Sequence, residues 1–194
     1  MINHIVNIVE SNCFKKRLEI ININYSNVKQ ENLIRNVFLE LLNKQFEEET
    51  LNLKAFIEHP RNKLAKVDLS IIDESPLKKP YLIEFKFQYT NDFQSFLNYK
   101  VWIEKDFQRE INDSKTDLFI LIIACWDKER KKAFDDKWRI TSNLNRYLCS
   151  ENIWKENVLI HFKDYIDTEL IDHAIYIDQP FQTTYNFFIL SRTN

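Results

Sequence analysis

Between residues 26 and 49 the apolar positions Leu33, Ile34, Val37, Phe38, Leu41 and Leu42 recur three or four apart, the stripe of an amphipathic helix. Asn27 and Gln30 have the spacing of an N-terminal capping box, which sets the expected start near residue 26 or 27. The period then changes. Residues 53–58 (LKAFIE), 65–72 (AKVDLSII) and 81–88 (YLIEFKFQ) read as strands, punctuated by Pro60 and the loop DESPLKKP. A second amphipathic helix fits 92–111, with Phe93, Phe96, Leu97, Val101, Phe107 and Ile111 facing inward. Residues 117–126 (DLFILIIACW) are apolar on both sides, as in a central strand covered on both faces. A charged helix is expected around 128–149, and strand-like stretches at 157–162 and 184–190. Residues 1–25 alternate ambiguously, and RLEIININY is compatible with a strand. The order helix, three strands, helix, strand implies an α/β fold with a central mixed sheet flanked by helices.

Within two of these strands the alternation is broken by charge. Asp68 sits between Val67 and Leu69, and Glu84 and Lys86 are threaded through Ile83, Phe85 and Phe87. Side chains alternate along a strand, so Lys66, Asp68 and Ser70 share one face, and Glu84, Lys86 and Gln88 share one. An antiparallel turn centred near Pro76 sets Asp68 opposite or nearly opposite Glu84. Like charges facing each other across a ladder destabilise it, which calls for a cation there. Lys66 and Lys86 are candidates, and so is a bound metal. Paired carboxylates beside a lysine suit divalent-metal phosphodiester chemistry: Mg²⁺ prefers carboxylate oxygens and keeps waters, and a lysine can orient the attacking water or meet charge on the phosphate.

Composition narrows the alternatives. The chain has 194 residues, 44% of them apolar and 14% aromatic, enough for one domain with a sizeable core. There is no glycine, where average usage would give on the order of 14. That excludes the glycine-rich phosphate loops of both the Walker and the dinucleotide type. A net charge of −2 exerts no global pull on nucleic acid or anionic membrane, so any polyanion site must be local. Cys13, Cys125 and Cys149 match neither a disulfide framework nor a zinc spacing, and are expected to be buried thiols in a reducing cytoplasm. The opening residues lack the features of a secretory signal, and no apolar run is long enough to span a membrane. Trp126, Trp138 and Trp154 are expected in the core, and the charged stretch 128–139 on a solvated surface.

The residues Asp68 and Glu84-x-Lys86, on consecutive strands between two helices, resemble the PD-(D/E)xK nuclease superfamily of restriction endonuclease-like proteins. Val67 stands where that motif has its proline. The strings Asp113-x-Lys115, Glu129-x-Lys131 and Asp135-x-Lys137 match the motif too, but fall in a loop or a charged helix. The resemblance covers roughly residues 26–126 of a single domain spanning 1–194, and leaves 127–194 as a C-terminal elaboration. It implies a restriction endonuclease-like core and a Mg²⁺-dependent (deoxyribo)nuclease, with Mn²⁺ as a substitute, acting on DNA in restriction, defence or repair. Asp68 and Glu84 would bind the metal, Lys86 would handle the attacking water, and Glu31 on the first helix would complete the site. Gln88, Lys78 and Lys79 are candidate substrate contacts. Cutting both strands of a duplex calls for two active sites, so a homodimer is expected. The alternative is a non-catalytic member of the same fold that binds nucleic acid or protein.

Overall fold

The computed structural model describes residues 1–59, 66–75, 78–93, 97–111, 114–149, 153–163, 165 and 167–193. Three helices come first: α1 (Ile2–Glu10), α2 (Asn12–Tyr25) and α3 (Glu31–Glu48). Strands β1 (Leu53–Ile57), β2 (Leu69–Asp73) and β3 (Tyr81–Tyr89) follow, then α4 (Leu97–Phe107) and a two-residue ladder of β4 (Glu110–Ile111) with β5 (Ser114–Lys115). The chain continues through β6 (Leu118–Trp126), α5 (Lys128–Trp138), α6 (Ile153–Lys163), β7 (Thr168–Ile177) and β8 (Thr183–Arg192).

The main sheet has six strands in the order β1-β2-β3-β6-β8-β7. Only β3 and β6 pair in parallel; the other neighbours are antiparallel, so the sheet is mixed. Its two faces carry separate cores. Ile83, Phe85 and Phe87 of β3, with Leu118, Ile120 and Ile122 of β6, pack with apolar residues of α1, α2 and α3. Phe119, Leu121 and Ile123 pack on the other side against Ile103 and Phe107 of α4 and Trp154, Val158 and Phe162 of α6. Both faces of β6 are therefore covered, as its unbroken apolar run requires.

Several expectations from periodicity are corrected. RLEIININY belongs to the helix α2: Phe14, Leu18, Ile21 and Asn22 are buried at helical spacing, while Ile20 and Ile23 are exposed. Ser11 caps this helix by accepting from Phe14 N–H at 3.1 Å, and Phe14 packs 4.8 Å from Phe38 between ring centroids. The stretch 157–162 is likewise helical, with Trp154, Val158, His161 and Phe162 on the inner face of α6. In both places tertiary burial overrides the β-propensity of isoleucine and valine. The capping box at Asn27 is not formed, and α3 starts at Glu31. Gln30 is buried instead, accepting from the Tyr185 hydroxyl at 2.6 Å and donating to Tyr25 O at 3.1 Å.

The second predicted helix is shorter than 92–111, because β4 takes its end. Val101 is exposed and Ile103 takes the inward position beside Phe107. Phe96 lies outside the described residues, as do the side chains of Phe93, Leu97 and Ile111. The turn centre Pro76, Pro60, the first residue of the 65–72 strand and Asp113 lie outside them too. The charged helix stops at Trp138 rather than 149, closed by Arg139 in the left-handed conformation at φ 55°. Thr50, Glu58 and Asp167 also hold positive φ, positions that favour glycine and that this chain fills without it. Trp138 and Cys13 are exposed rather than buried. On α5, Lys131 is fully buried rather than solvated. Its ammonium lies 2.7 Å from Asp135 and over the rings of Trp126 and Phe181.

Among the described residues no helix is long and apolar enough to cross a membrane.

Candidate functional site

The ladder between β2 and β3 is short. It runs from Ile71 opposite Tyr81 to Leu69 opposite Ile83, and Asp68 lies immediately before β2. Beyond Ile83, β3 continues against β6 alone, and its free side exposes backbone donors. Carboxylates meet them. Asp68 Oδ2 accepts from Phe85 N–H at 2.9 Å, and Glu31 Oε2 accepts from Phe87 N–H at 2.7 Å. Glu31 reaches the strand because it opens α3, where the positive end of the helix also favours a carboxylate.

Glu84 and Lys86 project toward α4, on the face opposite Phe85 and Phe87. Glu84 is buried, with only 5% of its side chain exposed. It is hydrogen-bonded to Asp68, and Arg109, just after α4, reaches its Oε1 at 3.2 Å. The other arm of Arg109 is 2.6 Å from Asp106 Oδ1. Asp106 Oδ2 lies 3.5 Å from Lys86 Nζ. On the α3 side, the buried Arg35 approaches Asp68 Oδ1 at 3.3 Å, one helical turn from Glu31. Thus Asp68, Glu84, Lys86 and Glu31 are gathered around the end of the β2–β3 ladder, laced by Arg35, Arg109 and Asp106.

Electrostatics follow from this crowding. Burial pushes Glu84 up to about 9, and the charge of Asp68 and the hydrogen bond to it push the same way. Arg109 works against that shift and Asp106 adds to it. Near neutrality Glu84 therefore keeps its proton, as expected for a carboxyl group desolvated beside another carboxyl. Burial also raises Glu31, opposed mainly by the Phe87 N–H bond; Asp68 raises it further and Lys86 lowers it.

The other candidates lie further off. Gln88 is buried beyond Lys86 on the same strand, in register with Ile123. Lys78 pairs with Asp73 at 2.7 Å, which holds that carboxyl below its usual range. Lys78 and Lys79 precede β3. At roughly 3.3 Å rise per residue, the strand start is on the order of 15 Å from Lys86. Lys66 pairs with Glu58 at the end of β1 rather than with the central carboxylates. Sequence reasoning missed Arg35, Asp106 and Arg109. Arg35 was accessible, since four residues from Glu31 places it on the same helical face. Asp106 and Arg109 required knowing which side of α4 lies over β3.

Among the described residues, no group of three or more His, Cys, Asp or Glu side chains is arranged to hold a metal ion. The potential donor set is the pair Asp68 and Glu84. Hard carboxylate oxygens are the donor type that Mg²⁺ takes, and it is commonly bound through one or two carboxylates with water and phosphate completing the shell. No family model matches the chain, and no curated protein or solved structure does so either.

Proposed function

We propose that this protein is a metal-dependent nuclease acting on DNA, built on a restriction endonuclease-like core. The observation that carries the reading is the buried contact of Glu84 with Asp68 at the point where β2 leaves β3, with Lys86 on the same face. The element order α3-β1-β2-β3-α4-β6 supports it as well.

Asp68 and Glu84 would hold Mg²⁺, which when bound activates water and neutralises charge on a phosphodiester. Asp68 is already oriented for this by Phe85 N–H and Arg35. Glu84 would give up its proton on taking the cation, since a coordinating carboxylate must be ionised. Lys86, 30% exposed and tethered by Asp106, would orient the attacking water and meet the negative charge growing on the phosphate. Glu31 would add negative charge from the α3 side while keeping Phe87 N–H satisfied. In a plasmid-nicking assay with Mg²⁺, wild type should convert supercoiled DNA and Asp68→Asn should not. Equal activity in the two would defeat the assignment.

One observation favours a second reading. Asp68 and Glu31 both cap backbone donors on the free side of β3, work they perform with or without a metal. In that reading the charges stabilise a binding scaffold, Arg109 is simply a counter-ion, and nicking is absent in wild type as well.

The nuclease reading also implies two copies on a duplex, one for each strand. Sedimentation at micromolar concentration with duplex DNA should show a dimer. A strict monomer would instead mean a nicking enzyme or a subunit of a larger assembly.

A further inference from the structure

We infer that Arg109 is a displaceable counter-ion: a divalent cation at Asp68 and Glu84 takes its place, and its released arm then binds a phosphate of the nucleic acid. This rests on the nuclease reading above and adds a substrate-binding residue to it.

The two arms of Arg109 are held unequally. Nη2 lies 2.6 Å from Asp106, whereas Nη1 lies 3.2 Å from Glu84 and 3.4 Å from Lys66 O. Charge-assisted N–H···O bonds are ordinarily about 2.7–2.9 Å, so the Asp106 contact is the anchor and the Glu84 contact the loose one. A cation that claims Glu84 removes only the loose contact. The guanidinium can then turn about Asp106 and keep Nη2 in place while Nη1 becomes available.

Position and charge agree with such a turn. Arg109 lies two residues past the end of α4 and directly before the short β4 ladder, so no long element clamps it. Its side chain is 32% exposed, against 5% for Glu84, so Nη1 can reach an external ligand. In the free protein Arg109, Arg35 and Lys86 lie among the carboxyl groups of Glu31, Asp68, Glu84 and Asp106. A divalent cation bound there adds two positive charges to the cluster. That added charge favours an anion, and a guanidinium can hold Asp106 and a phosphate oxygen at once, which a lysine ammonium does less well.

The test uses Arg109→Ala and Arg109→Lys, each checked by thermal melting. Calorimetry with Mn²⁺ and no DNA should show Arg109→Ala binding roughly 3–10-fold tighter than wild type, because a competing cation is gone. Arg109→Lys should stay near wild type. Fluorescence anisotropy with duplex DNA should then show a conditional loss. With Ca²⁺ present, Arg109→Ala should weaken DNA binding about tenfold, the scale of one charged phosphate contact. With EDTA the change should stay under about twofold, since the arm is then occupied by Glu84. Arg109→Lys should lose roughly threefold, again only with Ca²⁺; it carries the test if Arg109→Ala does not fold. Equal weakening with and without Ca²⁺ would overturn the displacement. So would unchanged or weaker Mn²⁺ binding by Arg109→Ala when wild type binds Mn²⁺. Absence of Mn²⁺ binding by wild type would bring down the nuclease reading, and this inference with it.

Discussion

Replacing Lys86 by alanine is expected to abolish plasmid nicking while leaving Mn²⁺ binding intact or improved. Lys86 Nζ lies against Asp106, and its charge also bears on Glu31. Deleting that charge removes a cation from beside the proposed divalent-ion site, so affinity for Mn²⁺ should hold or rise by a few-fold, roughly. Turnover should fall on the order of 10²–10⁴-fold, because the attacking water loses its partner and the phosphate loses a stabilising charge. Asp68→Asn and Glu84→Gln should show the opposite split, losing Mn²⁺ binding and nicking together. Calorimetry and a nicking assay on the same three proteins separate the roles. If Lys86→Ala nicks DNA at the wild-type rate, Lys86 is no more than a partner for Asp106. If it melts at much lower temperature and wild type binds no Mn²⁺, it is a structural counter-ion.

Glu84→Gln should make the metal-free protein more stable, and increasingly so as pH rises. The folded state holds Glu84 near 9, far above the ordinary value of 4.5. Between those values the folded protein keeps a proton that the unfolded chain has released, so wild-type stability falls as pH increases. The contribution is fully present below about 4.5 and lost as pH passes through about 9. Glutamine carries no such proton, yet its amide can donate to Asp68 and its oxygen can accept from Arg109. The advantage of Glu84→Gln at pH 8.5 should therefore be on the order of 2–4 kcal/mol. For a chain of this size each kcal/mol moves the melting temperature by about 2–4 °C. Melting curves at pH 5 and pH 8.5, with EDTA, test it. Wild type and Glu84→Gln should nearly coincide at pH 5 and separate at pH 8.5. A constant offset between them would show that Glu84 does not titrate in this window.

How much of this was legible beforehand differs from element to element. Alternation alone put Glu84 and Lys86 on one face of β3, and a turn near Pro76 put Asp68 across from Glu84. The observed ladder ends at Leu69 opposite Ile83, and Asp68, one residue before β2, reaches β3 by accepting from Phe85 N–H. The stripe from Leu33 to Leu42 gave α3, and the unbroken run 117–126 gave a central strand, because burial on one or two faces writes a simple period. The N-terminal helices and α6 were obscured by isoleucine and valine at positions where strand and helix patterns overlap. Ile21, Ile23 and Tyr25 alternate as in a strand, yet Ile23 and Tyr25 face solvent while Ile21 is buried.

The site's neutralising charges were the hardest part to see. Lys66 and Lys86 are the lysines nearest in sequence to the carboxylates, but Lys66 turns to Glu58. Arg109 lies 25 residues from Glu84 along the chain, brought there by α4 crossing the polar face of β3. No local period announces such a contact. The same holds for the open side of β3: where β2 stops pairing is decided in three dimensions, and that ending turns Asp68 and Glu31 into caps for Phe85 and Phe87 N–H.

On the nuclease reading, Glu84 holds a proton in the free protein and gives it up when Asp68 and Glu84 take a divalent cation. Calorimetric titration of wild type with Mn²⁺ at pH 7.5, in two buffers of different ionisation enthalpy, measures affinity and proton release together. The account predicts one saturable site per chain and close to one proton released, with both lost in Glu84→Gln. Saturable binding without proton release, or binding retained by Glu84→Gln, would contradict it.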